Sequence, residues 1–218
     1  MYKRQEPAFG EKVNFTEKIV ITDIDAMIAT GSDNSARYFE QYFSKVPNII
    51  RKNRTSCAIM TGEESEEEMY NLGRDIFEYY GLGCRNVSKL FVPKDYDFVP
   101  FLDQMMKYEK VAFHPTYENN YSYNKSVYLV NKEKHLDTGF LLLRASKELV
   151  SPIAVLYYEE YEKIEEVKHI LNTLSEKIQC IVCKDDIVEG SQVFGQAQYP
   201  KIDDFADDVD TIQFLLSL

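Results

Sequence analysis

The sequence predicts an α/β domain built on a largely parallel sheet, and two observations carry that prediction. Short apolar runs of strand length alternate with amphipathic segments of ten or more residues, and the runs are apolar enough to be buried on both faces. With 218 residues, 44% hydrophobic and 28% charged, nine Gly and seven Pro, the chain also has the composition of an ordinary globular protein of one or two domains.

Taken in order, IVITDIDAMIATG at 19–31 supplies apolar strand material that ends in a Gly turn, and SARYFEQYF follows at helical spacing. SCAIM at 56–60 is a short buried strand. The acidic segment EESEEEMYNLGRDIFEYY follows, with Met69, Leu72, Ile76 and Phe77 at three- and four-residue intervals, and its acid-rich start suits a helix N-terminus. SKLFVP reads as a strand, YDFVPFLDQMMKYEK as a helix, VYLV and GFLLLR as strands and IAVLYYEEY as a further strand. IEEVKHILNTLSEK is an amphipathic helix and IQCIVC a closing strand. The polar, aromatic stretch HPTYENNYSYNKS at 114–126 interrupts the pattern and reads as a long loop packed by its own tyrosines. The 16 Tyr set against no Trp read as packing residues with wet hydroxyls.

Charge and cysteine usage narrow the function classes. Asp and Glu outnumber Lys and Arg by 36 to 25, a net charge of −11, which disfavours a broad basic face for nucleic acid or an acidic membrane. No stretch approaches the roughly 18 consecutive apolar residues of a membrane span, and MYKRQEPAFGEKV lacks the apolar core of a signal peptide. Four cysteines without the spacing of a secreted scaffold read as reduced thiols, so the expectation is a cytoplasmic protein.

Two places could carry chemistry. The turn from Thr30 through Gly31, Ser32, Asp33, Asn34 and Ser35, between strand and helix, either offers backbone N–H groups to a phosphate or is a plain helix cap made by Ser32 or Asp33. Cys84, in YYGLGCRNVSKLFV, follows a helix end marked by Gly81 and Gly83 and precedes an apolar strand. That placement exposes a thiol at a tight turn, where Arg85 and Lys89 would favour the thiolate; the alternative is a buried filler residue. Cys57 reads as core. Cys180 and Cys183 form a CxxC within a strand, where the two positions point to opposite faces, and read as packing residues rather than zinc ligands. Of the three histidines, His169 reads as solvated, and His114 either serves as a proton donor or base near Cys84 or is a surface loop residue.

Together the blocks AMIATGSDNSARYFEQYF, IIRKNRTSCAIM, YYGLGCRNVSKLFVP, YENNYSYNKSVYLVNK, LVSPIAVLYY and VFGQAQYPKIDDFADDVDTIQFLLSL resemble, in order, the acyl-CoA reductase family typified by the fatty-acid reductase of bacterial luminescence (LuxC-like). That family is a branch of the aldehyde dehydrogenase superfamily, and the resemblance runs over nearly the whole chain. It implies an aldehyde-dehydrogenase-like catalytic domain with a partial Rossmann-like cofactor domain. By the resemblance Cys84 is the nucleophile, and Gly31 and Ser32 match the Gly-Ser turn that lies against the dinucleotide. Glu148 falls where the superfamily places its ribose-contacting carboxylate, with Val150 and Ser151 replacing the Phe and Gly of that segment. Phe194 and Gly195 resemble the late Phe-Gly segment that closes on the active site.

The implied activity is NADPH- or NADH-dependent reduction of an acyl-CoA, long-chain by family expectation, to the aldehyde through a cysteine-linked acyl-enzyme. Oxidising aldehyde dehydrogenases carry a Glu base where this chain has Asn48, Ile49, Ile50, Arg51, Lys52 and Asn53. Without that base a thioester intermediate would survive until hydride arrives, which suits a reductase. The domain expectation is residues 1–53 as the remnant of a dinucleotide-binding domain whose N-terminal portion is missing, 54–187 as the catalytic domain, and 188–218 as a segment returning to the cofactor domain or to a homo-oligomer interface. A reductase of another activated acyl donor, such as an acyl phosphate, and an inactive truncated fragment remain as alternatives.

Overall fold

The computed structural model describes residues 10, 12–18, 24–184, 187–202 and 204–218, so the start of the first apolar run, 19–23, and the chain's opening residues 1–5 lie outside the described residues. The chain divides into two compact units, Met1–Lys52 with Val209–Leu218, and Asn53–Asp208. Among the described residues no helix is long and apolar enough to cross a membrane.

The first unit is a strand–helix–strand motif. β1 (Met27–Thr30) and β2 (Asn48–Arg51) pair in parallel, from Met27 opposite Asn48 to Thr30 opposite Arg51. α1 (Asp33–Phe43) connects them and buries Ala36 and Phe43. The closing DTIQFLLSL supplies α6 (Thr211–Leu216), capped by Asp210, whose side chain accepts from the Gln213 N–H. Arg51 Nη2 donates to Thr211 Oγ1 at 3.0 Å.

The second unit is a six-stranded sheet in the order β5 (Leu136–Asp137), β6 (Leu142–Ala145), β7 (Val155–Tyr161), β4 (Val87–Pro93), β3 (Thr55–Ile59), β8 (Ile178–Cys183). Every pairing is parallel except that of β5 with β6. Alternation along the central strands fills both faces, as a parallel sheet requires. Ala58, Leu90, Val92 and Val182 enter the larger core beneath α2 (Glu66–Phe77), α3 (Val99–Met105) and α4 (Pro115–Asn131). Cys57, Ile59, Phe91 and Cys183 enter the smaller core beneath α5 (Ile164–Thr173), which contributes Val167 and Leu171.

Helix α2 starts where the acidic run predicts. Ser65 accepts from the Glu68 N–H while the Glu68 carboxylate accepts from the Ser65 N–H, a full capping box.

Three readings differ from the structure. The stretch at 114–126 is a helix rather than a loop, and it runs on through 127–130, which the sequence had offered as a strand. Its buried residues, Tyr117, Tyr121, Asn124 and Tyr128, recur at helical spacing, but a face of tyrosine and asparagine does not look apolar in sequence. Pro115 opens the helix at a position where its missing N–H costs nothing. Residues 188–208 belong to the second unit, and only 209–218 lie with the first. The reason is packing: Phe194 and Ala197 are buried in the larger core, and Gln192 bridges the open edge of β8 at Val182.

Candidate active site

Cys84 sits between the end of α2 and the start of β4, and the chain reverses there through an unusual route. Tyr79 and Tyr80 adopt left-handed conformations, φ 53° and 59°, followed by Gly81 at 72°. Two consecutive non-glycine residues in this region cost about 1–2 kcal/mol each, so surrounding contacts must impose the turn. The Tyr80 ring packs at a tilt against the His114 imidazole, 4.1 Å between centroids. His114 thus lies against the left-handed turn, and its Nδ1 is buried with no hydrogen-bond partner among the described residues.

The turn that carries Cys84 is closed by Asn86. Its N–H donates to the Gly83 carbonyl at 3.0 Å, and its Oδ1 accepts from the Gly83 N–H at 2.8 Å. Its Nδ2 reaches the carbonyls of Asp75 (3.0 Å), Ile76 (3.2 Å) and Glu78 (2.8 Å), which are acceptors left over at the end of α2. A second clamp comes from β3. The Ser56 hydroxyl, fully buried where β3 slips register against both β4 and β8, donates to the Cys84 carbonyl at 3.0 Å and accepts from the Cys180 N–H at 3.1 Å. Cys84 is the exposed thiol; Cys57, Cys180 and Cys183 are buried. Burial pushes the Cys57 thiol up to about 12 and raises that of Cys180, where the nearby Arg85 charge opposes it.

The two cations assigned in sequence to the thiolate are committed elsewhere. Arg85 Nη1 donates to Cys180 Sγ at 3.3 Å and to the Ala197 carbonyl at 3.1 Å. Lys89 is 1% exposed, its ammonium 2.7 Å from Glu159 Oε2 and bonded to the Ser146 carbonyl. Burial lowers its pKa, against the pull of Glu159. In sequence a charge one to five residues from a thiol looks available; strand pairing directs Lys89 into the sheet instead.

Lys89 has a different effect. Together with Ser88, whose Oγ donates to the Leu149 carbonyl at 2.8 Å, it fastens the loop between β6 and β7 to the start of β4. Glu148 lies exposed on that loop, its N–H donating to Ser146 Oγ at 3.1 Å. The strand that follows the Cys84 turn therefore also places the Glu148 loop.

Phe194 is buried in the larger core, and the backbone after it, rather than its ring, bonds to α2. The carboxylate of Asp75, on α2, accepts from the Gly195 N–H at 2.6 Å and the Ala197 N–H at 3.0 Å. Gly195 has φ 87°, and a Cβ there would lie 3.0 Å from Asn71 Cβ, so glycine is required for this approach. Asp75, Asn86 and Ser56 were not singled out in sequence. An Asp at a buried helical position among Met69, Leu72 and Ile76 was the one available signal. A groove of about 740 Å³ borders this region, with Arg85, Lys168, Cys180, Gln192 and Phe205 among its walls.

In the first unit, Ser32 caps α1, its Oγ accepting from the Ser35 N–H at 3.3 Å. Gly31 donates its N–H to the Arg51 carbonyl at 3.2 Å, and a Cβ on it would lie 2.7 Å from Ser35 Cβ. The turn is thus a helix cap with strand and helix in close approach. Cys180 and Cys183 serve packing: Cys180 accepts from Arg85 and Cys183 Sγ donates to Ser191 Oγ at 3.1 Å. Among the described residues no group of three or more His, Cys, Asp or Glu is gathered to hold a metal.

The second unit is a largely parallel sheet with a cysteine turn between a helix and a central strand, and the first unit is a strand–helix–strand motif. No family model and no curated protein sequence matches the chain, but solved structures do. The indole-3-acetaldehyde dehydrogenase AldA of P. syringae, solved with NAD+ and IAA, superposes with a TM-score of 0.56 at 11% identity, over 80% of this chain and 43% of that one. The aldehyde dehydrogenase KauB of Pseudomonas aeruginosa gives 0.53 at 15% identity, over 74% and 40%. An NAD-dependent aldehyde dehydrogenase of Sinorhizobium meliloti gives 0.56 at 9% identity, over 78% and 40%. The matched region spans about two fifths of the length of these enzymes.

Proposed function

We propose that the chain carries the nucleophile of a nicotinamide-dependent reductase that converts an acyl-CoA, with a long-chain fatty acyl group, to the aldehyde. The observation that supports this most directly is an exposed Cys84 thiol on a turn immobilised from two sides by Asn86 and Ser56. A nucleophile held this way is oriented before substrate arrives. In the proposed cycle the Cys84 thiolate attacks the thioester carbonyl, a new carbon–sulfur bond forms, and the coenzyme A thiolate departs. We assign the developing oxyanion to the Cys84 main-chain N–H. A bound NADPH or NADH would supply hydride to the acyl carbon. The resulting thiohemiacetal oxyanion on Cys84 collapses to the aldehyde and returns the thiolate.

Cofactor assignments follow the two units. In the first, the close strand-to-helix approach at Gly31 and the start of an eleven-residue helix at Ser32 fit the narrow turn that faces a dinucleotide. In the second, the exposed Glu148 carboxylate is available to a ribose, whereas Phe194 acts through its backbone neighbours because its ring is buried. Solved neighbours with NAD+ bound support a nicotinamide partner. The absence of a carboxylate from Asn48 to Asn53 supports reduction over hydrolysis.

The test is acylation. Incubation with a long-chain acyl-CoA and, separately, an acyl phosphate, followed by intact mass and peptide mapping, is expected to place an acyl adduct from the CoA ester on Cys84. Cys84→Ser should slow adduct formation by orders of magnitude, since a hydroxyl near neutral pH is a far poorer nucleophile than a partly ionised thiol. An undiminished adduct in Cys84→Ala overturns the assignment, and an adduct from the acyl phosphate alone moves it to the other donor class.

A further inference from the structure

Asp75 is buried to 1% exposure, yet it takes no part in the chemistry proposed above. A buried carboxylate is costly unless its partners are specific, and here both oxygens are used, on the N–H groups of Gly195 and Ala197. The same Ala197 offers its carbonyl to Arg85, the residue after Cys84. The Asp75 carbonyl, in turn, is held by Asn86 in the Cys84 turn. The end of α2, the Cys84 turn that follows it and a segment 120 residues further along the chain therefore meet at one residue.

We infer that Asp75 is a positioning residue that fastens the Phe194–Ala197 segment to α2, so that the Ala197 carbonyl is presented to Arg85 and the Cys84 turn and the late segment are held as one body. This coupling stands whether or not the acyl donor proposed above is correct.

The charges around Asp75 come from every element packed on it. Arg74 on α2 and Glu78 just past its end flank it, Arg85 comes from the turn, Tyr108 from the segment after α3, and Cys180 from β8. Tyr199, from the late segment itself, bonds to both Arg74 and Glu78. Burial outweighs the two N–H bonds and pushes the Asp75 carboxyl up to about 6. Lifting the 194–197 segment would admit water and return the carboxyl toward its ordinary value of about 3.9. The closed form therefore binds the proton more tightly than the open one. Closure strengthens as pH falls through about 6 and weakens above it.

Amide hydrogen exchange by mass spectrometry, corrected for intrinsic pH dependence, reads this directly. In the unaltered protein, protection of the peptides covering 193–199 and 82–88 is expected to be about tenfold greater at pH 5 than at pH 7. In Asp75→Asn both profiles should be flat, with the melting transition confirming that the variant folds. If that variant does not fold, Arg85→Gln decides the matter, because it leaves Asp75 intact and cuts the link. The 193–199 peptide should then keep its pH response while the 82–88 peptide loses it. Protection independent of pH in the unaltered protein, or an 82–88 response that survives Arg85→Gln, overturns the inference.

Discussion

Asn86 has one side chain and four bonds, and each answers a need left by its neighbours. The last carbonyls of α2 have no helical partner, and the tight turn at Gly83 has an N–H with none; the amide supplies donors to the first and an acceptor to the second. An Asn→Asp change is nearly isosteric, but it sets an oxygen against three carbonyls in place of the donor. Asn86→Asp should therefore lose at least about 3 kcal/mol of stability, read as a fall in the urea midpoint with an unchanged slope. A loss below about 1 kcal/mol would mean that the α2 terminus is satisfied by water instead. The same reasoning explains why Asn86 escaped notice in sequence. Asn is common in turns for local reasons, and here its partners lie eight to eleven residues back along the chain.

Helix α4 shows the same limit one level up. Its buried positions are legible as a 3.6-residue period only once tyrosine and asparagine are allowed as core residues. Asn120 and Asn124 bond back to the carbonyls of Thr116 and Asn120, and Ser126 to that of Ser122, so the polar side chains support the helix they seemed to break. Tyr117 adds a direct test. Its ring is buried, but its hydroxyl has no hydrogen-bond partner among the described residues. Tyr117→Phe should be neutral or should stabilise by about 1–2 kcal/mol, because it removes an unpaired buried hydroxyl. Tyr117→Ala should cost about 3–5 kcal/mol through the cavity it leaves. A Tyr117→Phe variant that melts well below the unaltered protein would show that the hydroxyl is bonded. The start of helix α2, by contrast, was readable, since its acidic first turn and apolar spacing are local signals; the segment read as helical ran on to Tyr80, but the helix ends at Phe77.

At the scale of the molecule, the sheet of the second unit has helices on both faces, its own two cores and the return of 188–208 to its edge. We expect residues 53–208 to fold independently, with cooperative urea unfolding and Cys84 still open to alkylation; a molten or aggregated product would show that the first unit is required. The apolar strands of the second unit, the acidic start of α2 and the place of the Cys84 turn were determined by the sequence alone, because periodicity and turn chemistry act within some ten residues, whereas the helix Pro115–Asn131 was not. The tertiary structure alone decided which groups serve Cys84. Lys89, near it in sequence, is drawn into the sheet by Glu159, while Ser56 and Asn86 clamp its turn, and Asp75 joins it to a loop 120 residues away. Burial makes those assignments: a polar group removed from water must find its partner wherever the packed chain presents one, and sequence distance does not enter.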